Sequence, residues 1–414
     1  MSAVSTLHAA TTMQTNVSPP GLPDDLMERV RAYRIERVRK ELVARQCPAI
    51  VLYDPVNIRY ATDTSNMQIW TGRNPTRYVI VFAHGPVIGF EFHNCEHVWK
   101  GNILDVELRG ATCWNYFSSG PESTRKARKW AQEVVDLLRE HAASEMRIAV
   151  DRLDPEGAQA LLQHDVEIVD GQALMEHARA VKSDDELVLI RAAVAVCEQG
   201  IQRMRNVLTP GMSEQDLWAH LHYENIRLGG EWIETRLLAS GPRTNPWMQE
   251  CSARIMKQGE LIAFDTDLVG PFGYCADISR TWTVGHVRPT DNQRRLYAEA
   301  YEQLNTNMEL LRPGMSFREF AERSWKIPDA YRKNRYSCIA HGIGMVDEYP
   351  SVAHDIDWES GGYDGKFESG MALCVESYIG AEGGEEGVKL EQQVLLTETG
   401  CIPLSTFPFE TDWL

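Results

Sequence analysis

The stretch "FDTDLVGPFGYCADISRTW", residues 264 to 282, places Asp265, Asp267 and Asp277 among residues that otherwise read as the core of a β-hairpin. If "ELIAFDTDL" and "YCADISRTW" are its two arms, turning around Phe272, residues whose numbers sum to 544 face each other. Asp267 then lies opposite Asp277, and Asp265 sits two residues earlier on the same face. Three carboxylates on one face repel one another, and burying them as bare anions costs on the order of several kcal/mol each. A divalent cation removes that cost.

The same geometry returns near the C-terminus. "MALCVESYIG" and "GVKLEQQVLL" are strand-like runs joined by "AEGGEEG", and a hairpin centred between Gly383 and Gly384 sets Glu376 opposite Glu391. Each glutamate interrupts an apolar pattern. His341 stands in "IAHGIGMVDEYP", where glycines allow close backbone approach. Three Asp, one His and two Glu make an oxygen-rich donor set with one imidazole, suited to Mn, Fe, Co or Zn, and two ions can share such carboxylates at ~3.5–4 Å.

Composition bounds the classes of function. The 414 residues carry 59 acids against 42 bases, a formal net charge of −17, which argues against a nucleic-acid partner and favours a cationic or metal-bound one. No apolar run approaches the ~18 residues of a membrane span. Nine scattered cysteines show no CxxC spacing, so neither a zinc knuckle nor a disulfide framework is expected, and a reducing cytoplasm fits. The opening "MSAVSTLHAATTMQTNVSPPGLPDD" has neither a basic start nor an apolar stretch and reads as a loose arm over residues 1–23.

Two halves of different texture follow. An amphipathic run from Asp24 to about Cys47, the strand-like "AIVLYD", "RYVIVFA" and "PVIGFEF", a helix near 121 to 141 and the strand "RIAVDR" describe an α/β lobe over 24–178. Ser183 and Glu186 form a capping box that opens a long helix in 179–414. "SEQDLWAHLHYENIRLGG" and the stretches near 291–311 and 316–325 give further helices, with strand-rich segments between. Helices flanking antiparallel sheet define an α+β lobe. His220 and His222, at i and i+2 on a helix, point to different faces and read as structural.

The order Asp, Asp, His, Glu, Glu, with "DISRTW" after the second Asp, "HGIG" around the His, and "VKSDDELVLIR" and "RPGMSF" outside them, resembles the creatinase, prolidase and methionine-aminopeptidase group. That resemblance implies the pita-bread fold for the second lobe, two divalent metal ions, and a homodimer in which the small first lobe overhangs a partner's site. The departures are informative. The hydrolases place one Asp eleven residues before the second; here the intervals are ten from Asp267 and twelve from Asp265. Where they carry a second histidine beside a Glu, this chain reads Asp347-Glu348.

These departures, with "DPVNIRYATDTSNMQIW", "GGEWIETRLLASGPRTNPWMQE" and the closing "TFPF", resemble the metal-dependent dimethylsulfoniopropionate lyases of the DddP type over nearly the whole chain. Cleavage to dimethyl sulfide and acrylate is the implied activity. Asp265, Asp267, Asp277, His341, Glu376 and Glu391 are the implied ligands, iron the first expectation for the metal, Asp347 the general base, and Tyr336 a neighbour in the substrate pocket. A carboxylate base must be partly desolvated or crowded by other acids to work near neutrality. A sulfonium cation has no hydrogen-bond donor and calls for aromatic faces, for which Trp70, Trp232, Trp247 and Tyr349 join Tyr336 as candidates. The resemblance implies a tryptophan after the Asp-Glu pair, where this chain has Tyr349. Hydrolysis of an amide or amidine and metal-free binding on the same fold are the competing readings.

Overall fold

The computed structural model describes residues 22–100, 102, 106–143 and 145–414. The expected N-terminal arm lies almost wholly outside them. The chain forms two compact units, divided between Arg179 and Ala180.

The first unit is built on a six-stranded mixed sheet in the order β4-β3-β2-β1-β5-β6. Its strands are β1 (Ala49–Leu52), β2 (Tyr78–Phe82), β3 (Val87–Glu91), β4 (Val106–Gly110), β5 (Arg147–Val150) and β6 (Glu167–Asp170). The four central ones lack the alternation of a half-exposed strand because both sheet faces are covered. Ala127, Trp130, Ala131, Val134 and Leu138 form the stripe by which the helix Ser123–His141 meets Tyr53, Tyr78 and Phe90 of the sheet side.

The second unit opens with the helix Asp184–Val207, whose start is held by the expected reciprocal Ser183–Glu186 box. Two three-stranded sheets follow, β11-β10-β7 and β12-β9-β8, and then a five-stranded antiparallel sheet in the order β14-β13-β15-β16-β17. The strands are β7 (Trp232–Ile233), β8 (Leu238–Ser240), β9 (Leu261–Phe264), β10 (Leu268–Val269), β11 (Cys275–Ala276), β12 (Arg280–Thr283), β13 (Ala340–Ile343), β14 (Asp347–Val352), β15 (Ala372–Ile379), β16 (Val388–Thr397) and β17 (Gly400–Pro403).

The pairs Leu268↔Ala276, Val269↔Cys275, Phe264↔Arg280 and Leu261↔Thr283 all keep the register in which facing numbers sum to 544. The hairpin is nevertheless not continuous. The ladder breaks between β9 and β10 and between β11 and β12, where the aspartates stand, and Asp267 adopts φ 34°. Carboxylates that converge on one point give up strand geometry there. The second hairpin is regular, with Glu376 directly opposite Glu391.

One face of the large sheet is apolar. Leu373, Val375 and Ile379 of β15 and Leu390, Val394 and Leu396 of β16 share a core with Leu296, Ala300 and Leu304 of the helix Asp291–Leu310. The residues between them, Cys374 and Glu376 on β15 and Lys389, Glu391 and Gln393 on β16, face the other way. Glycine is required at 342, where a Cβ would lie 2.3 Å from the backbone carbonyl oxygen of Tyr349. There β13 and β14 meet across a bulge between His341 and Gly342.

Arg280 fastens the C-terminal segment behind this face. Its guanidinium donates to the carbonyls of Ser279 (2.9 Å), Glu391 (2.6 Å), Phe407 (2.6 Å) and Pro408 (3.3 Å) and to Gln392 Oε1 (2.9 Å), and stacks 3.8 Å from the Phe409 ring centroid. Glu198 accepts from the backbone amide of Phe407 at 2.9 Å on the other side of the same segment. The "TFPF" stretch is thus a built part of the fold. Arg280→Leu leaves several buried carbonyls without donors, each costing about 1–3 kcal/mol. Urea denaturation is expected to show a loss of about 3 kcal/mol or more; a midpoint equal to wild type would contradict this assignment.

Candidate metal centre

Asp265, Asp267 and Asp277 converge where the ladder opens. Asp267 N–H donates to Asp277 Oδ1 at 3.2 Å, and Thr235 Oγ1 donates to Asp267 Oδ2 at 2.5 Å. Ser279, which faces Asp265 in the hairpin register, places its Oγ 2.7 Å from Asp265 Oδ1 and 2.8 Å from Glu391 Oε2. The N–H of Cys275 donates to the Gly344 carbonyl at 2.7 Å, stitching the first hairpin to the HGIG segment.

His341 is oriented as a ligand imidazole would be. Its Nδ1 lies 3.1 Å from the Gly342 carbonyl, which directs that proton to the backbone and turns the Nε2 lone pair inward. Nε2 faces Glu376 Oε1 (3.3 Å), Glu391 Oε1 (3.6 Å) and Asp277 Oδ2 (3.8 Å). Both glutamate Oε1 atoms are buried and accept no hydrogen bond. Acceptors without donors, gathered around an imidazole lone pair, are what a cation would satisfy. The donor atoms fall into three groups, each within 4.8 Å internally: Asp265, Asp267 and Asp277; Asp277, His341, Cys374 and Glu391; and Asp265, Glu376 and Glu391. The residues therefore fit divalent ions, and all six expected ligands are brought together.

Without a cation the cluster is electrostatically frustrated. Burial raises Asp265 and Asp277 well above the ordinary carboxyl value, and neighbouring carboxylates push the same way. Asp267 and Glu376 are raised by the same burial. Glu391 alone is held well below: burial works against its charge, but Lys389 and His341 outweigh it. His341 is raised well above its usual value: burial works against its charge, but the neighbouring carboxylates Asp347, Glu376 and Glu391 outweigh it.

Asp347 differs from the six. Its side chain is 53% exposed, against 0% for Glu376 and Glu391, and Oδ1 lies 3.6 Å from His341 Nδ1 at the rim of the cluster. Partial desolvation, with Asp267, Glu391 and Glu376 adding repulsion and His341 opposing, pushes it up to about 6. Its neighbour Glu348 points the opposite way and pairs with buried Lys182. The two carboxylates of the Asp-Glu pair thus have separate environments.

The aromatic candidates separate as well. Tyr336 lies with its ring centroid 4.5 Å from Lys389 Nζ and shares a small apolar cluster with Trp247 and Tyr378. Trp232 pairs with Val269 on β7, beside the strand that follows Asp267, and is half-buried. Tyr349 is not brought to this cluster: it packs on Phe317 (5.7 Å) and Tyr363 (6.0 Å) at the helix-covered side of the sheet. Trp70 belongs to the first unit, where it meets Phe92 and Phe117. His220 and His222 lie outside the cluster, and His220 Nδ1 accepts from Arg203. Sequence reasoning missed Lys389, Ser279, Thr235 and Cys374. Lys389 and Cys374 were findable, since each stands two residues before a ligand glutamate on the same strand face.

A two-lobed chain whose second lobe gathers two hairpins and one histidine around a metal-binding cluster is of the pita-bread class. The profile of metallopeptidase family M24 matches residues 188–398 and that of the creatinase/prolidase N-terminal domain matches 34–181. The chain belongs to family M24, a family of dinuclear metalloenzymes. Within it, the chain is 43% identical over 394 residues to the dimethylsulfoniopropionate lyase DddP of Roseovarius nubinhibens, covering 94% of this chain and 88% of that protein. It is 42% identical to DddP of Roseobacter denitrificans with the same coverage. The Xaa-Pro dipeptidase from Bacillus anthracis shares the fold at TM-score 0.74 and 20% identity, covering 93% of this chain and 99% of that one. The Pyrococcus furiosus prolidase does so at 0.70 and 18%, over 89% and 99%.

The charge balance gives a pH dependence. A carboxyl or imidazole whose folded pKa lies above the unfolded one contributes most below the unfolded value, and that contribution is lost as pH rises through the folded one. Asp347, moved from 3.8 to about 6, and the more strongly raised Asp265, Asp277 and His341 all act in this direction. Chelator-treated protein is therefore expected to melt at a lower temperature at about pH 8 than at about pH 5.5, with added divalent metal flattening the slope. A metal-free melting temperature that rises over the same range would contradict the reading.

Proposed function

We propose that this protein is a metal-dependent carbon–sulfur lyase that cleaves dimethylsulfoniopropionate to dimethyl sulfide and acrylate by β-elimination. The observation that carries it is Asp347, a half-exposed carboxylate at the rim of a buried metal-binding cluster, poised at about 6. It stands where a base can meet substrate while the buried carboxylates are engaged as ligands. Similarity to DddP proteins through both domains supports the same reading.

Asp347 takes the proton from the carbon next to the substrate carboxylate. The electron pair released forms the carbon–carbon double bond, and the carbon–sulfur bond breaks with its electrons leaving on dimethyl sulfide. No water enters. Asp265, Asp267, Asp277, His341, Glu376 and Glu391 would hold the ions, which when bound would supply an anchor for the substrate carboxylate and electrostatic stabilisation of charge developing on it. Tyr336 and Trp247, which share one cluster, and Trp232 on β7 offer aromatic faces to the sulfonium head, which can only be recognised by such faces or by anionic neighbours. Iron is the metal we assign first among ions these ligands accept. The working form is a homodimer.

Headspace detection of dimethyl sulfide tests the activity. Asp347→Asn is expected to lower its release by about 10²–10⁴-fold, the contribution of a positioned base, while metal content stays at the wild-type level. Asp277→Ala and Glu391→Ala are expected to lose metal and activity together. Release of free amine from Xaa-Pro dipeptides with no dimethyl sulfide, or substantial turnover by Asp347→Asn, would overturn the proposal. Light scattering at micromolar concentration should give the mass of a dimer; a monomer mass would contradict that part.

A further inference from the structure

Lys389 sits inside the ligand cluster. It is fully buried on β16, two residues before Glu391, and its ammonium lies 2.6 Å from Glu376 Oε2, 3.1 Å from Asp265 Oδ2 and 3.2 Å from Glu391 Oε2. Ser279 Oγ accepts from it at 2.7 Å. The contacts to Ser279, Glu376 and Glu391 are hydrogen bonds and use the three protons of the ammonium; Asp265 adds a close ion pair.

The three carboxylates that ion-pair with Lys389 are the members of one of the three donor groups, Asp265, Glu376 and Glu391. A divalent ion needs oxygen ligands at about 2.0–2.6 Å, so it cannot sit where the ammonium already lies between Asp265 Oδ2, Glu376 Oε2 and Glu391 Oε2. Two groups are left, Asp265–Asp267–Asp277 and Asp277–His341–Cys374–Glu391, and the free oxygen of Glu376, Oε1, adjoins the second at 3.3 Å from His341 Nε2. Charge leads to the same number. Asp265, Asp267, Asp277, Glu376 and Glu391 sum to five negative charges; two divalent ions and one lysine sum to five positive ones.

We infer that Lys389 is a built-in third cation of the metal centre: it closes the Asp265–Glu376–Glu391 nest, limits the centre to two ions, and holds the carboxylates together before metal arrives. The inference rests on the metal-centre reading, not on the lyase assignment. Lys389 acts through the ligands and is a positioning residue. Its side chain also lies over Tyr336, so the same group sets the floor under that aromatic ring.

The test is metal content and melting temperature, with and without Co(II), of the full chain as wild type, Lys389→Met and Lys389→Arg. Wild type is expected to hold two Co(II) per chain after gel filtration. Lys389→Met keeps the length of the side chain and removes its charge, so its metal-free form is expected to melt roughly 10 °C lower, as when one partner of a buried ion pair is removed. Co(II) should then raise its melting temperature by more than it raises that of wild type, because uncompensated carboxylates bind the ion more strongly. Equal metal-free melting temperatures and equal Co(II) increments in wild type and Lys389→Met would overturn the role of Lys389 while leaving the metal centre intact. Failure of wild type to bind Co(II), Mn(II) or Fe(II) would overturn the metal-centre reading, and this inference with it. If Lys389→Met does not fold even with Co(II), Lys389→Arg decides: it keeps the charge and is expected to retain two ions and a metal-free melting temperature near wild type, and loss of either would count against the proposal.

Discussion

The mutual repulsion of five buried carboxylates is the constraint on which the rest of the catalytic unit depends. Asp265, Asp267, Asp277, Glu376 and Glu391 are each at most 7% exposed, and burial favours their neutral forms. A fold that keeps them together must place cations among them. Lys389 and His341 supply part of that balance from within the chain, and the unsatisfied Oε1 atoms of Glu376 and Glu391 mark where the remainder belongs. Surrounding elements can be read as responses: Arg280 secures the backbone behind Glu391, Thr235 and Ser279 tie down single carboxylate oxygens, and the Gly342 carbonyl sets the imidazole.

Sheet geometry turns that constraint into chemistry. On β15 and β16 alternate residues face either the apolar helix layer or the cluster, so a single pair of strands carries both core and ligands. The bulge after His341 starts β14 at the rim, where Asp347 keeps contact with water and Glu348 turns to Lys182. A base must reach substrate, whereas ligands must not be hydrated away. One sheet edge meets both requirements.

Much of this was legible in the sequence, because antiparallel pairing makes facing residues a matter of arithmetic. The pairing of Glu376 with Glu391 and the register of the Asp267 hairpin follow from the positions of the glycines and Phe272. What escaped reading had local causes. Strand continuity around the aspartates was lost to their convergence, which no propensity encodes. Lys389 reads as a surface lysine until its neighbours are known to be buried acids. Tyr349 sits two residues after Asp347 and a simple period of two would put both on one face; the bulge breaks the count and sends the ring to Phe317 and Tyr363. The choice of substrate lies in the placement of aromatic rings, which spacing alone does not report.

The placement of cations in the cluster decides both its stability and its chemistry. Anomalous scattering at the metal edge from crystals of iron- or cobalt-loaded protein should show two peaks, one against Asp265, Asp267 and Asp277 and one against Asp277, His341, Glu376 and Glu391, with the Lys389 ammonium still between Asp265 Oδ2, Glu376 Oε2 and Glu391 Oε2. Absence of any peak at these residues in fully loaded protein, or a peak in the place of the ammonium, would contradict it.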